Sequence, residues 1–430
     1  MNYAANIYPF RQDSSFLYFW NVDHPGLAAV IDVDAGAETL FGDDLTIADV
    51  VWSGPQPSMA DRAAEGAIGA TAPRSALADT VAAATAAGRD VHFLAPYRGD
   101  HTVAIASLLG IAPADVKARR STAFHQAVAA QRLYKSPEEV AEIEQAVDVS
   151  REMYLAAMRA AAPGRKEHEI VAEIARVVLA RGCAYSFPPI CSVHGETLHN
   201  PFHRNTMQAG EWFVLDSGAE TPHHYASDIT RTIPVSGAFS AQQRAIYECV
   251  QRAQASALAA ITPGVPYRDI HLGAAKSFVT DLTALGLMKG NADEAVAAGA
   301  HAVFFPHGLG HMMGLDVHDM ENLGEDIVGY GPGFERSTQF GLGYLRLARP
   351  LETGFVITVE PGLYFIPALM DQWKAEGRHA RFYNWSEIDK FRDARGCRLE
   401  DDVLVTATGG RVLGPPIPKA IADVEAACRG

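Results

Sequence analysis

At 430 residues, 48% of them hydrophobic, the chain is long enough to fill two cores. Lys and Arg total 36 against 51 Asp and Glu, a net charge of −15, and no local basic patch offsets it; nucleic acid and anionic membrane are therefore not expected partners. Five scattered cysteines without CxxC spacing suggest neither a disulfide framework nor a zinc ribbon and fit a reducing cytoplasm.

The opening residues MNYAANIYPFRQDSSF carry no basic segment ahead of an apolar run. No later stretch reaches the roughly 18 apolar residues of a membrane span, so neither leader nor anchor is expected. Residues 27–41, LAAVIDVDAGAETLF, set short apolar runs around Asp34 and Gly36 and predict a hairpin, and the Ala-rich residues 79–88 predict a helix. Together they outline a small α/β domain over 1–130. Ser136-Pro137-Glu138-Glu139 then supplies a cap residue, a proline suited to the first helical position and a glutamate three after the serine. Val140, Ile143, Val147, Tyr154 and Met158 keep an apolar face at helical spacing until Pro163-Gly164. This helix opens a second domain, 131–430, in which residues 211–218, 354–365 and 398–408 read as strands. Two long insertions, roughly 323–344 and 366–396, fall between them.

Residues 304–320, FFPHGLGHMMGLDVHDM, hold His307, His311 and His318. The spacing of the first two invites comparison with a zinc-protease helix, but Gly308 stands where that helix needs glutamate. Glycine costs about 1 kcal/mol against alanine in a helix, so Gly308 and Gly310 predict a loop or strand end instead. Any one of these imidazoles could simply be buried and hydrogen-bonded; three together call for partners elsewhere in the chain.

Candidate partners are carboxylates in apolar surroundings. Asp216 lies in EWFVLDSG, Asp228 follows twelve residues later, Glu360 ends GFVITVE, and Glu400 follows Leu399 in GCRLEDD. Singly, each reads as a cap or an ion pair. Converging with His311 in one site, four carboxylates would repel, and two divalent cations would balance them. Oxygen-rich ligation with one imidazole favours Mn²⁺, with Zn²⁺ or Co²⁺ as alternatives. A metal pair of this kind lowers the pKa of bound water toward neutrality.

From FRQDSSFLYFWNVDHPG at 10–26, through YKSPEEVAEI, to RLEDDV, the chain resembles the Xaa-Pro peptidases of the pita-bread fold, prolidase and aminopeptidase P. The resemblance implies an α/β (α+β) protein: a small N-terminal creatinase/prolidase-like domain, then a pita-bread domain with a curved antiparallel sheet flanked by helices. It implies a dinuclear metallopeptidase whose ligands are Asp216, Asp228, His311, Glu360 and Glu400, with Asp228 and Glu400 bridging. His199 (in ETLHNPFH), His307 and His318 correspond to substrate-pocket residues, Arg398 to an arginine supporting the metal carboxylates, and Tyr364 to the tyrosine after the EPG turn. His318 or His199 would donate to the oxyanion and Glu360 would relay a proton. The interval from Asp216 to Asp228 is one residue longer than is usual in the family, which leaves the turn through Thr221-Pro222-His223 open.

No ligand is lost, which disfavours a non-catalytic peptide-binding member of the fold, and the matched N-terminal domain disfavours a methionine aminopeptidase. The intervals from His311 to Glu360 and from Glu360 to Glu400, 49 and 40 residues, resemble those of eukaryotic-type prolidases. Arg346, in GLGYLRLARP, matches the arginine that binds a dipeptide's carboxylate there, against the plainer alternative of a surface salt bridge. The expectation is an Xaa-Pro dipeptidase, with aminopeptidase P acting on longer peptides as the alternative. The resemblance further implies a cytoplasmic homodimer acting on proline-containing di- or oligopeptides.

Overall fold

The computed structural model describes residues 8–430; residues 1–7, where the stretch read as leader-free begins, lie outside the described residues. The chain divides into two compact units, one up to Val128 and one from Ala129 onward.

In the first unit the predicted hairpin forms. Strand Ala28–Asp32 pairs antiparallel with Ala37–Phe41, which runs parallel to Ala70–Ala72. Asp32 closes the turn by accepting the Ala35 N–H, and Gly36 takes φ +60°, a conformation that costs glycine little. Strand alternation sends Leu40 to a cluster with Val22, Met59 and Ile68, and its neighbour Phe41 to another with Leu77 and Val81. The Ala-rich helix runs Ala76–Ala86.

The second unit opens with helix Pro137–Ala160, capped by the reciprocal Ser136 and Glu139 bonds that the sequence implied. Val140, Ile143, Val147, Tyr154 and Met158 are all buried. One antiparallel sheet orders Ile190–Ser192, Trp212–Ser217 and Ile229–Pro234, and another orders Gly409–Val412, Asp401–Thr406 and Val356–Val359. Every residue of Trp212–Ser217 and Ile229–Pro234 is buried. Helices cover these strands, and the buried Tyr154 hydroxyl reaches the carbonyls of Leu215 and Ile229.

Two expected strands are each divided. The 354–365 segment forms Val356–Val359 and Gly362–Tyr364 in different sheets, and 398–408 forms Gly396–Arg398 and Asp401–Thr406. Pro361 has no N–H for a ladder, and the amides of Glu360 and Glu400 turn to Leu309 and Thr230 instead. The 366–396 insertion carries helix Pro367–Ala375. The turn left open between Asp216 and Asp228 closes with His224 at φ +67° and with the Thr221 N–H donating to the Tyr225 carbonyl.

Candidate metal centre

Strand register brings the carboxylates together. Asp216 pairs across the sheet with Thr230, and Thr230 bridges on its other side to Glu400, so three residues form one row over neighbouring strands. Asp228 lies two residues before Thr230, on the same face of its strand. Glu360 leaves the end of Val356–Val359, and His311 lies beside that strand through a Thr358 N–H to His311 carbonyl bond. The 307–311 stretch is a loop, as its glycines predicted. A Cβ on Gly310 would meet the Thr358 carbonyl oxygen at 2.1 Å, so this close approach requires glycine.

Asp228, His311 and Glu400 each offer a ligand atom within 4.8 Å of the others. The His311 Nδ1 lies 3.0 Å from the Met312 carbonyl, which fixes its proton there and leaves Nε2 as a lone pair 3.4 Å from Asp228 and 3.8 Å from Glu360. Burial lowers the pKa of His311 to about 4, so the ring is a neutral donor. Asp216 lies against Arg398 at 2.5 Å. The same guanidinium reaches the Tyr364 hydroxyl at 2.9 Å and the Thr230 hydroxyl at 3.1 Å, and Thr230 donates to Glu400 at 2.6 Å.

Electrostatics match a cation site. Burial, reinforced by Asp216, pushes Asp228 well above the usual carboxylate range. Burial and the neighbouring Asp228 do the same to Glu400, and burial lifts Glu360 to about 8 against the pull of Arg398. Asp216 Oδ1 and Asp228 Oδ1 are buried without a hydrogen-bond partner among the described residues. Buried acceptors are normally satisfied. Orphaned oxygens beside a neutral imidazole lone pair are therefore what a divalent cation pair would complete, and the residues present fit such a pair.

The remaining predicted residues surround this centre. The His307 Nδ1 faces the Gly308 carbonyl at 2.7 Å and its Nε2 the Tyr364 hydroxyl at 2.9 Å, so both ring nitrogens and that hydroxyl are engaged within the protein. The His318 ring stands edge-on to His311 with centroids 4.3 Å apart. His318 Nδ1 lies 2.7 Å from Glu321, and its Nε2 lies 3.1 Å from Arg346. His199, exposed on its outer side, feels the charges of Arg398, Asp216 and Arg346. A cavity lined by His311, His318, Glu321, Glu325, Val328 and Arg346 opens beside the cluster. Arg346 thus lies on the pocket wall and also sits in ion pairs, 3.5 Å from Glu325 and 3.9 Å from Glu321.

Sequence reasoning missed several supporting groups. Asp402, fully buried, accepts the Asp228 N–H at 3.0 Å; its only signal was its place two residues after Glu400. Thr230 and Thr358 carry hydroxyls that hold Glu400 and the His311 amide, and nothing distinguishes them in the sequence from ordinary strand threonines. Asp319, 1% exposed, is clamped by Lys135 at 2.8 Å and Arg132 at 2.6 Å.

Comparison with known proteins agrees with this geometry. Residues 141–407 match the model for metallopeptidase family M24, and residues 1–92 match the aminopeptidase P N-terminal domain. Human Xaa-Pro dipeptidase is 33% identical over 98% of this chain and 85% of its own, and a probable Xaa-Pro aminopeptidase of Verticillium alfalfae is 31% identical over 95% and 86%. Proline aminopeptidase P II of Yersinia pestis superposes with a TM-score of 0.81 at 27% identity, covering 100% of this chain and 92% of its own. A variant of Escherichia coli aminopeptidase P in complex with substrate also gives 0.81, at 28% identity and 100% and 91% coverage. With this cluster inside the matched region, the chain belongs to metallopeptidase family M24, a family of divalent-metal peptidases, and has the pita-bread fold of aminopeptidase P.

Proposed function

We propose that the protein is an Xaa-Pro dipeptidase that works with two divalent ions, Mn²⁺ foremost, held by Asp216, Asp228, His311, Glu360 and Glu400. The observation carrying this reading is the convergence of Asp228, His311 and Glu400 within 4.8 Å, beside orphaned carboxylate oxygens. Bound there, the ions neutralise the carboxylates and supply acidified water and a polarising charge. Mn²⁺ suits a donor set of four carboxylates and one imidazole; Zn²⁺ and Co²⁺ are the alternatives.

The protein's own groups do the rest. Glu360 is 18% exposed at its side chain against 7% for Asp228, so its carboxylate is the one that can accept a proton from water and deliver it to the departing proline nitrogen. Arg398, through Asp216, Thr230 and Tyr364, holds the ligand row in place. His318 Nδ1 is directed to Glu321, and Arg346 lies against the same ring, 2.8 Å from Nδ1 and 3.1 Å from Nε2, in the resting arrangement. His199, at the open side, is therefore the readier oxyanion donor. His307 fixes the Tyr364 hydroxyl beside Arg398.

Dipeptide preference is supported by Arg346 on the pocket wall, a guanidinium able to bind a terminal carboxylate. The second reading, an aminopeptidase acting on longer Xaa-Pro peptides, draws support from the likeness to the solved aminopeptidase P structures. Free Cys183, Cys191, Cys249, Cys397 and Cys428 support a reducing, cytoplasmic setting, and a homodimer belongs to the same reading. The test is the rate of Mn²⁺-loaded enzyme on an Xaa-Pro dipeptide and on an Xaa-Pro-Xaa tripeptide; preference for the tripeptide would overturn the dipeptidase assignment.

A further inference from the structure

The guanidinium proposed to receive a substrate carboxylate already has a carboxylate beside it. Glu321 stands 3.9 Å from Arg346 and 2.7 Å from His318, and all three line the same cavity. Glu325 also approaches Arg346, at 3.5 Å, but it is bonded to Arg336, which offsets its charge. The ion pair made by Glu321 is with Arg346 itself. This inference rests on the reading of Arg346 given above. We infer that Glu321 is a built-in competitor for the terminal carboxylate of the substrate, so that a dipeptide gains Arg346 only by displacing the charge of Glu321.

The hydrogen bond with His318 holds the Glu321 carboxyl down to about 2, so the competitor is an anion at any physiological pH. Arg346 also lies at hydrogen-bond distance from the His318 ring. A carboxylate that draws Arg346 away therefore also releases the His318 ring from that contact. The arrangement makes Glu321 a specificity-determining residue: it discriminates against weakly held carboxylates, and it ties occupation of Arg346 to the release of an imidazole.

The test uses full-length, Mn²⁺-loaded enzyme with alanyl-proline and with its C-terminal amide, which differ only in that charge. Glu321→Gln removes the anion but keeps an oxygen to accept the His318 N–H. The ratio of kcat/KM for the acid over the amide should rise about three- to fivefold, the scale for one partly exposed ion pair, and the change should appear in KM. Arg346→Ala should bring the ratio down toward one. Calorimetry supplies a second readout independent of turnover: L-proline should bind the Glu321→Gln protein more tightly while prolinamide binding stays constant. A ratio that falls or stays unchanged in Glu321→Gln, with Arg346→Ala behaving as stated, overturns the competitor role and leaves the dipeptidase reading intact. So does an equal loss of kcat on both substrates, the signature of a structural role. A ratio that Arg346→Ala leaves unchanged overturns the dipeptidase reading and this inference with it.

Discussion

Replacing Asp319 by alanine should destabilise the catalytic unit more than any single surface change. Its carboxylate lies between Lys135 Nζ at 2.8 Å and Arg132 Nη2 at 2.6 Å, with all three side chains 1–2% exposed. Removing it takes the carboxylate from buried Lys135 and leaves Arg132 with the Asp316 contact at 3.2 Å, and breaking a buried pair from one side costs about 3–5 kcal/mol. At about 2–4 °C per kcal/mol for a domain of this size class, thermal unfolding should shift down by about 6–20 °C. Burial opposes ionisation of Asp319, but Lys135 and Arg132 win and hold its pKa below the ordinary value. The folded value is thus depressed, so the stabilisation is fully present above the unfolded pKa and is lost as pH falls through the folded one. The gap between wild type and Asp319→Ala should accordingly be widest near neutrality and narrow on acidification. Calorimetric scans across pH measure both effects. Replacing Asp319, Lys135 and Arg132 together with apolar residues of similar volume should recover much of the loss, because the desolvation cost disappears with the charges. A shift under about 2 °C for Asp319→Ala, or a gap that widens in acid, would refute the reasoning.

Exhaustive chelation should abolish turnover and Mn²⁺ restore it, while Asp228→Asn should stay inactive at any metal concentration; full activity in either case would sink the two-ion centre. His311→Ala should lose metal content, whereas His318→Ala and His199→Ala should retain it and lose rate, by about 10²–10³ where an oxyanion donor is removed. Metal analysis of the three proteins separates these roles. Gly310→Ala should lower thermal stability and metal affinity together, since its Cβ would meet the Thr358 carbonyl 2.1 Å away and push His311 away from strand Val356–Val359.

The candidate carboxylates were legible because burying carboxylates among apolar strand residues is costly, so Asp216 and Glu360 stand out in their own segments. The long helix after Ser136 was legible because its cap and its apolar face are both local. What escaped the sequence is held by contacts between distant residues. Arg132 and Lys135 meet Asp319 across 187 and 184 positions. Nothing near any one of these residues names its partner. Apolar runs also concealed the breaks at Glu360 and Glu400, because hydrophobic pattern reports burial and not the change of sheet that turns a carboxylate toward its neighbours.

The row formed by Asp216, Thr230 and Glu400 has a consequence for how such a centre can change over time. Side chains alternate along a strand, so sliding one strand by a single residue would turn its contribution to the opposite face. The turn between Asp216 and Asp228 is under no such restriction: it takes up its length through His224 at φ +67°, while Asp216 stays opposite Thr230. Ala219–Glu220 pairs with Ala184–Tyr185 and is held, so a peptide tag grafted at the tip, between Pro222 and His223, should leave metal affinity intact. Strand register fixes the centre in phase, whereas the tip of this turn can change in length without altering that phase.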